Sequence, residues 1–399
     1  MNAYGDGSMR GVNHQNMIET NKFLILKTIA TCGPISRIEL SKQTQLSKMT
    51  ITSLIADFLQ EGIVRECGTT ASTAGRRPTL LEVVPDSLLT LGISVGRDFL
   101  QVGIINLTGA IVLHNQVPIG QFTTEDSFIS GLLAMCEVIL QNVPFRKVWG
   151  IGIASIGPIN MAEGVIVDPP DFNIDMIHIV PRLKERWNLP VYIENDMAVS
   201  ALAEMYYGGG KLYNNFVYVG VTAGIGGGVI LNQRLYSGTN GLASIIGHMI
   251  VLTDGELCAC GQRGCLEAMS SVRATLHWAH KNGAPHDMDW MQLLIKADAG
   301  DATCSAALER MNRYLVSGLI NIVNLYDPEC IFIGGDLWFA KDQLFQHFEQ
   351  EVNTRIIAAG NRRKVRIARS KFPGNAFFIG TAALVMENNL EYRRGNGNG

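Results

Sequence analysis

Two segments of this chain repeat one pattern, at residues 92–109 and 220–238. Each predicts a strand, a glycine turn, a second strand and a closing glycine. The segments lie roughly 130 residues apart, and strands alternate with helices beyond Pro85, which indicates an α/β fold. The repeat therefore predicts a duplicated architecture, in which two lobes face one cleft and their glycine turns let backbone N–H groups approach phosphate.

The composition indicates a globular protein of two or three domains, since the 399 residues are 47% hydrophobic and 17% charged. No apolar run reaches the length of a membrane span, and the N-terminus lacks the apolar core of a signal peptide. We therefore expect a cytoplasmic protein without membrane contact, whose thiols stay reduced. The net charge of −3 argues neither for nor against nucleic acid.

The N-terminal region, residues 12–84, predicts a module of short helices followed by a β-hairpin. A first helix ends before Pro34, and a capping box of Ser36 and Glu39 starts the second. Ser47 can cap a third helix, and two strands follow around a loop rich in glycine, alanine and threonine. This order is typical of a winged helix-turn-helix domain.

The third helix and the wing predict the contacts with DNA. The helix starts with small polar side chains where such helices meet base edges, and the wing loop carries two arginines that suit a minor groove. The residues concerned are Ser47, Lys48, Thr50, Thr52, Ser53, Arg76 and Arg77. Up to Glu82 the chain has nine Lys and Arg against seven Asp and Glu, a sign that suits operator DNA. The alternative is a generic helical subdomain with a solvated arginine pair.

One imidazole and three thiols have the spacing of a metal site. They follow the pattern H-x9-C-x-C-x4-C, at His248, Cys258, Cys260 and Cys265. This donor set completes a tetrahedron for zinc, and because all positions are filled a structural ion is favoured over a catalytic one. The alternatives are free thiols or a redox pair.

Asn195 and Asp196 lie where a buried strand is followed by a helix. A carboxylate at such a strand end, facing a cleft, can accept a hydroxyl proton or a hydrogen bond. The alternative is that these residues only cap the helix. Gly334 and Gly335 end a later strand, where they would approach a nucleotide or form a plain turn, and residues 376–386 predict a final helix.

These motifs resemble those of the ROK family, which comprises repressors, open reading frames and sugar kinases. The likeness lies in CACGQRGCLE with its upstream GH, in ENDMAVSALAE, in the phosphate loop GIGGG at residues 224–228, and in GRRPTLLEV of the repressor branch. It implies a two-lobed actin-like sugar-kinase (ribonuclease H-like) fold behind the DNA-binding domain. It also implies homodimers or homotetramers and a sugar pocket that includes Asn195, Asp196, His248 and Glu267.

The chain departs from the family's kinases in its first hairpin. They carry D-x-G-G-T where this chain has Ser94, Arg97 and Asp98, so a carboxylate and the close approach of phosphate are lost. The glutamate usual three residues before the zinc histidine is Ile245, and Asp171 replaces a usual asparagine. A sugar hydroxyl thereby loses an acceptor.

We therefore predict a transcriptional regulator of carbohydrate genes, a repressor, that binds operator DNA, a sugar or sugar phosphate, and structural zinc. It would have no catalytic residue, and Asp196 would be a vestigial base. The predicted domains are 12–84, then a first lobe of 88–196 with helix 376–388, then a second lobe of 197–375. The alternatives are a bifunctional protein with an active ATP-dependent sugar kinase, and a regulator that senses a partner protein.

Overall fold

The computed structural model describes residues 14–69, 78–239, 241–357 and 363–395, and no helix in these ranges is both long and apolar enough to cross a bilayer. Its N-terminal unit has the bounds α1 His14–Cys32, β1 Ile35–Ser36, α2 Arg37–Thr44, α3 Lys48–Gln60, β2 Val64–Thr69 and β3 Thr79–Val83. The helices pack beside an antiparallel sheet in the order β1-β3-β2. The sequence predicts this order of elements, in which short helices are followed by a β-hairpin.

Local hydrogen bonds explain where α2 and α3 begin. Ser36 Oγ accepts a hydrogen bond from the Glu39 N–H at 3.3 Å, and Glu39 Oε2 accepts one from the Ser36 N–H at 2.9 Å. This is the predicted capping box. Ser47 Oγ accepts a hydrogen bond from the Thr50 N–H at 3.1 Å and caps α3. Ser47 therefore has a structural role in addition to its predicted contact with DNA.

The first lobe is built on a mixed sheet. Its elements are β4 Leu89–Val95, β5 Phe99–Asn106, β6 Ile111–Pro118, α4 Glu125–Leu140, β7 Val148–Ser155, β8 Ile159–Asn160, β9 Val165–Val167, β10 Met176–Ile177, α5 Ile179–Arg186 and β11 Val191–Asn195. The sheet has the order β11-β7-β4-β5-β6, and β8, β9 and β10 form a smaller antiparallel sheet. Strands β11, β7 and β4 are parallel, and β5 and β6 continue antiparallel.

The second lobe repeats this topology. Helix α6, Asp196–Tyr207, leads into it, and its elements are β12 Phe216–Val221, β13 Ile225–Leu231, β14 Arg234–Leu235, α7 Leu266–Ser270, α8 Val272–Lys281, α9 Trp290–Asp298, α10 Ala302–Tyr326, β15 Cys330–Gly335, α11 Asp342–Arg355 and β16 Arg366–Arg369. The sheet order β16-β15-β12-β13-β14 and its strand directions match those of the first lobe. The duplicated two-lobed fold predicted from the hairpins is confirmed.

Two helices join the lobes. Helix α12, Ala376–Gly395, returns to the first lobe and packs on β4 and β7, whereas α6 packs on β12 and β13 of the second. The helices touch at Gly380, where a Cβ would lie 2.1 Å from the Val199 carbonyl oxygen, so only glycine permits this approach. Helix α6 begins at Asp196, the candidate hydrogen-bond acceptor. This residue therefore lies at the first turn of a helix that contacts both lobes.

Candidate functional site

A cleft of about 230 Å³ opens between the first hairpin and the second lobe. The predicted arrangement, in which the hairpins face a common cleft, is therefore present. Its polar and charged lining residues include Ser94, Arg97, Asp98, Asp196, Thr222 and Asp336.

Asp196 lies at the start of α6, in this cleft. Its Oδ1 accepts a hydrogen bond from the Met197 N–H at 2.9 Å, and Asn195 Oδ1 accepts from the same N–H at 3.0 Å. Asn195 therefore caps α6, as the capping alternative predicts. Burial raises the pKa of Asp196 to about 6, although the Met197 N–H and the charge of Arg97 act to lower it. At neutral pH its carboxylate is ionised and can accept a hydroxyl hydrogen bond.

Arg97 extends into the cleft and connects its walls. Its Nη1 donates to Asp171 Oδ2 at 2.5 Å, and Nη2 of Arg273, on α8 of the second lobe, donates to the same oxygen at 3.2 Å. Burial raises the pKa of Asp171, but the hydrogen bonds from both guanidinium groups outweigh it and hold this pKa below its usual value. A Cβ on Gly224 would lie 4.0 Å from Arg97 Nη2, so the guanidinium lies beside the turn of the second hairpin.

The second hairpin differs from the predicted phosphate loop. Only its first glycine lies in the turn, because β13 begins at Ile225 and takes up most of residues 224–228. A Cβ on Gly228 would lie 2.6 Å from the Ala201 Cβ, so this glycine makes room for α6. Residues 225–228 are therefore strand, and only Gly224 is turn. At the turn, Glu267 Oε2 accepts a hydrogen bond from the Ile225 N–H at 2.9 Å, so a carboxylate already binds the amide that would approach phosphate.

The structure brings the predicted metal ligands together. Their donor atoms all lie within 4.8 Å of one another, at His248, Cys258, Cys260 and Cys265. Cys260 Sγ is 3.6 Å from Cys265 Sγ, and Cys258 Sγ is 3.5 Å from His248 Nδ1. Zn–S bonds of about 2.3 Å give a tetrahedron with edges of about 3.8 Å, so the cluster fits a four-coordinate ion. Gly264, at φ +71°, closes the loop where a Cβ would lie 1.5 Å from a backbone oxygen.

The residues predicted for the sugar pocket have different surroundings. Asp196 lies in the cleft and Asn195 caps α6, whereas Glu267 binds the second hairpin. His248 directs Nδ1 at the thiols, which leaves Nε2 for another partner. Ile245, which lies three residues before His248, presents an apolar side chain that is 53% exposed.

Helix α3 exposes the residues that the sequence assigns to DNA contact. Its opposite face is buried in the N-terminal unit, through Ile51, Leu54, Ile55 and Phe58. Thr50 is half-buried, and the exposed residues are Ser47, Lys48, Thr52 and Ser53. The wing residues Arg76 and Arg77 lie outside the described residues.

Sequence reasoning missed two charged residues of the site. Arg273 belongs to no motif, and only the tertiary fold brings it to Asp171. Asp336 directly follows the glycine pair that ends β15, so a carboxylate at that strand end was a usable signal. Burial raises the pKa of Asp336, and the nearby charge of Asp98 adds to this effect. Carboxylates at this end of the cleft oppose the binding of phosphate.

One protein-family model matches most of the chain. The ROK family model matches residues 90–388. The chain belongs to the ROK family. A relative named xylose repressor, from Bacillus subtilis (strain 168), is 30% identical over 377 residues, which cover 94% of this chain and 96% of the repressor.

Solved ROK structures share the fold to different extents. A crystal structure of a ROK family transcriptional regulator, a homologue of the E. coli MLC protein, covers 96% of this chain and 100% of its own, with a TM-score of 0.79 and 26% identity. A ROK family glucokinase from Streptomyces griseus, in complex with glucose and AMPPNP, covers 74% of this chain and 98% of its own. Its TM-score is 0.65 and its identity 22%, so it shows the fold alone.

Proposed function

We propose that this chain is a sugar-responsive repressor whose N-terminal unit binds operator DNA and whose two-lobed body senses a sugar. The observation that carries the proposal is the span of the likeness to the xylose repressor, 94% of this chain, which extends beyond the body into the N-terminal unit. The exposed polar start of α3 supports it, because recognition helices present such residues to the major groove. A homodimer or homotetramer would match a two-fold operator.

The cleft is poorly suited to phosphoryl transfer, which supports a sensor without kinase activity. Transfer requires cations or N–H groups that neutralise the phosphate charge. Arg97 is paired with Asp171, and Asp98 and Asp336 add negative charge to the lining of the cleft. Asp196 alone could still act as a base, but a nucleotide phosphate would meet carboxylates here.

The effector would be a sugar, with D-xylose as the first candidate because a relative is named as a xylose repressor. The Asp196 carboxylate would accept a hydrogen bond from a sugar hydroxyl, with Glu267 and His248 as further contacts. The cluster that includes His248 and Cys265 would hold structural zinc. Glu267 follows Cys265 by two residues, so the metal would also fix the position of this carboxylate.

Operator binding and phosphoryl transfer can be measured on the same full-length protein. We would select a DNA duplex from a random library with this protein and measure its affinity by fluorescence anisotropy, with and without D-xylose, D-glucose or N-acetylglucosamine. We expect one sugar to weaken DNA binding by about tenfold or more. A coupled assay with ATP, magnesium and these sugars should give no turnover above that of Asp196→Asn. Turnover of about one per second that Asp196→Asn abolishes would establish the bifunctional kinase instead.

A further inference from the structure

Helix α6 connects the cleft to the DNA-binding unit. It begins at Asp196 and ends at Tyr207, and the side chains of residues 199–207 are buried. A helix of this length is a rod of about 18 Å. Because its flanks are packed against both lobes, a displacement at the cleft end reaches the other end.

The far end of α6 meets the N-terminal unit at a polar junction. Tyr206 Oη donates a hydrogen bond to Glu387 Oε2 on α12. The Lys27 ammonium, on α1, lies 2.9 Å from the same oxygen and 4.7 Å from the centre of the Tyr206 ring. The side chains of Lys27 and Glu387 are only 18% and 17% exposed, so solvent screens this ion pair less than a surface pair.

Packing around this junction is continuous across the domain boundary. Ile55 of α3, Leu26 of α1, Tyr206 of α6 and Leu384 of α12 belong to one cluster of buried side chains. A cavity of about 510 Å³ lies between α1 and the second lobe, and Lys27 and Glu387 of the junction are among its lining residues. Helix α1 is therefore held by the junction, and the cavity that borders the junction leaves α1 space to change its angle.

We infer that occupancy of the cleft is transmitted along α6 to the DNA-binding unit through the Tyr206–Glu387–Lys27 junction. This inference rests on the proposed function and names its regulatory route. A sugar hydroxyl that binds Asp196 changes the forces at the start of α6, and the packed helix carries the displacement to Tyr206. Glu387 and Lys27 then change the angle of α1, and the exposed start of α3 moves with it. Sugar and operator affinities become coupled through this contact set.

Conservative variants test the junction. Glu387→Gln keeps an oxygen that can accept from Tyr206 and Lys27 but removes the charge, and Tyr206→Phe keeps the buried ring but removes the hydroxyl. Lys22→Met is the matched control, because Lys22 is also on α1 and pairs with Asp57 at 2.9 Å, inside the DNA-binding unit. For each full-length variant we would measure the affinity for the selected duplex with and without D-xylose, and the affinity for D-xylose alone.

We expect the affinity for D-xylose, and the DNA affinity without sugar, to stay within about twofold of the parent. The ratio of DNA affinities without and with D-xylose should fall at least about threefold in Glu387→Gln and Tyr206→Phe, and stay unchanged in Lys22→Met. By reciprocity, DNA should change the D-xylose affinity by the same reduced factor. If both junction variants keep the parent's ratio of DNA affinities without and with D-xylose, the inference is overturned. Loss of DNA binding without sugar overturns it as well, since the junction would then only hold the unit in place. If no sugar changes the DNA affinity of the parent protein, the proposed function is refuted instead.

Hydrogen exchange gives a readout that does not depend on DNA. D-xylose should alter amide exchange in α1 of the parent and of Lys22→Met, and alter it much less in Glu387→Gln. Of the five tryptophans, Trp149 lies at the same boundary, with its ring centre 5.8 Å from that of Phe23 on α1, so the part of a sugar-dependent fluorescence change that Trp149→Phe removes reports this boundary. A sugar-dependent change in α1 that persists in Glu387→Gln would show that another route carries the signal.

Discussion

The guanidinium of Arg97 and the carboxylate of Asp171 form an ion pair in the cleft, and Arg273 of the opposite lobe shares the same carboxylate oxygen. Arg97 lies in the turn of the first hairpin, between β4 and β5. The protein's own charges therefore bridge the two lobes at this turn.

Arg273→Gln should loosen this bridge and leave Arg97 paired with Asp171. The side chains of Arg273 and Asp171 are 59% and 54% exposed, so we expect a cost below about 1 kcal/mol that high salt removes. Small-angle scattering at low salt should show a larger radius of gyration. Arg186→Gln is the control, because its pair with Glu137 lies within the first lobe at similar exposure. Identical scattering from both variants at every salt concentration would contradict an interlobe role.

Cys260→Ser should release the metal and destabilise the second lobe. Ligand thiolates supply folding free energy only through the ion, so we expect a lower melting temperature and less than about a tenth of an equivalent of zinc. Elemental analysis and calorimetry measure these quantities. Cys32→Ser is the control, because Cys32 is also exposed and lies far from the cluster in the sequence. If the parent protein is purified without zinc and has the same melting temperature as the zinc-loaded protein, the ion is not structural.

Asp196→Asn should abolish the response to sugar and leave operator binding intact. In the parent, the proposed sugar acceptor is the ionised Asp196, and burial raises the pKa of this carboxyl to about 6. Sugar affinity should therefore hold above pH 7 and fall about tenfold per pH unit below 6. Titration calorimetry across pH 5 to 8 checks this slope, and a parent affinity that is flat with pH would exclude Asp196 as the acceptor.

The raised pKa of Asp196 also predicts how the free energy of unfolding changes with pH. The folded protein holds the Asp196 proton more tightly than the unfolded chain, whose carboxyl has the ordinary pKa of 3.8. The stabilisation that the proton brings is complete below about pH 4 and is lost as the pH rises through about 6. Asparagine is uncharged throughout, so Asp196→Asn should melt at a higher temperature than the parent at pH 7. The two melting temperatures should converge near pH 4.

Changes at the two DNA-contact regions should differ in their salt dependence. Lys48→Ala, at the exposed start of α3, should alter the preference among operator sequences more than the salt slope. Arg76→Ala with Arg77→Ala should weaken binding and flatten the dependence on salt, since such cations release counterions. Lys281→Ala, on α8, is the control and should change neither the operator preference nor the salt dependence of binding. Anisotropy titrations at several salt concentrations separate these outcomes, and an unchanged salt slope in the double arginine variant would remove the wing from the interface.

Local chemistry made part of this structure predictable from the sequence. The capping box of Ser36 and Glu39 depends on residues three apart, and the metal spacing from His248 to Cys265 depends on one loop. The duplicated sheets followed from the paired hairpins because strand and turn patterns are short-range. In each case the decisive contacts lie close together in the chain.

The remaining features depend on residues that are distant in the chain. Arg273 meets Asp171 across roughly 100 residues, and nothing near either residue indicates the partner. The glycines within β13 resemble a phosphate loop in the sequence. Glycine occurs both in turns and in strands against which a helix packs closely, and composition alone does not distinguish the two. Gly228 packs against Ala201, and only the tertiary arrangement shows which of these uses applies.

The position of α12 has a consequence for how the protein is made. The strands β4 and β7 that it covers precede it in the chain by roughly 280 and 220 residues and are therefore synthesised well before it. The described strands and helices of the N-terminal unit, by contrast, lie in one stretch of the chain that is synthesised before either lobe. A nonsense codon shortly before Ala376 would thus leave a DNA-binding unit attached to a sensor that lacks one face of its first sheet. Such a product would also lack Leu384 and Glu387, so the buried side chains and the Lys27 ion pair that join α1 to the sensor would be uncovered.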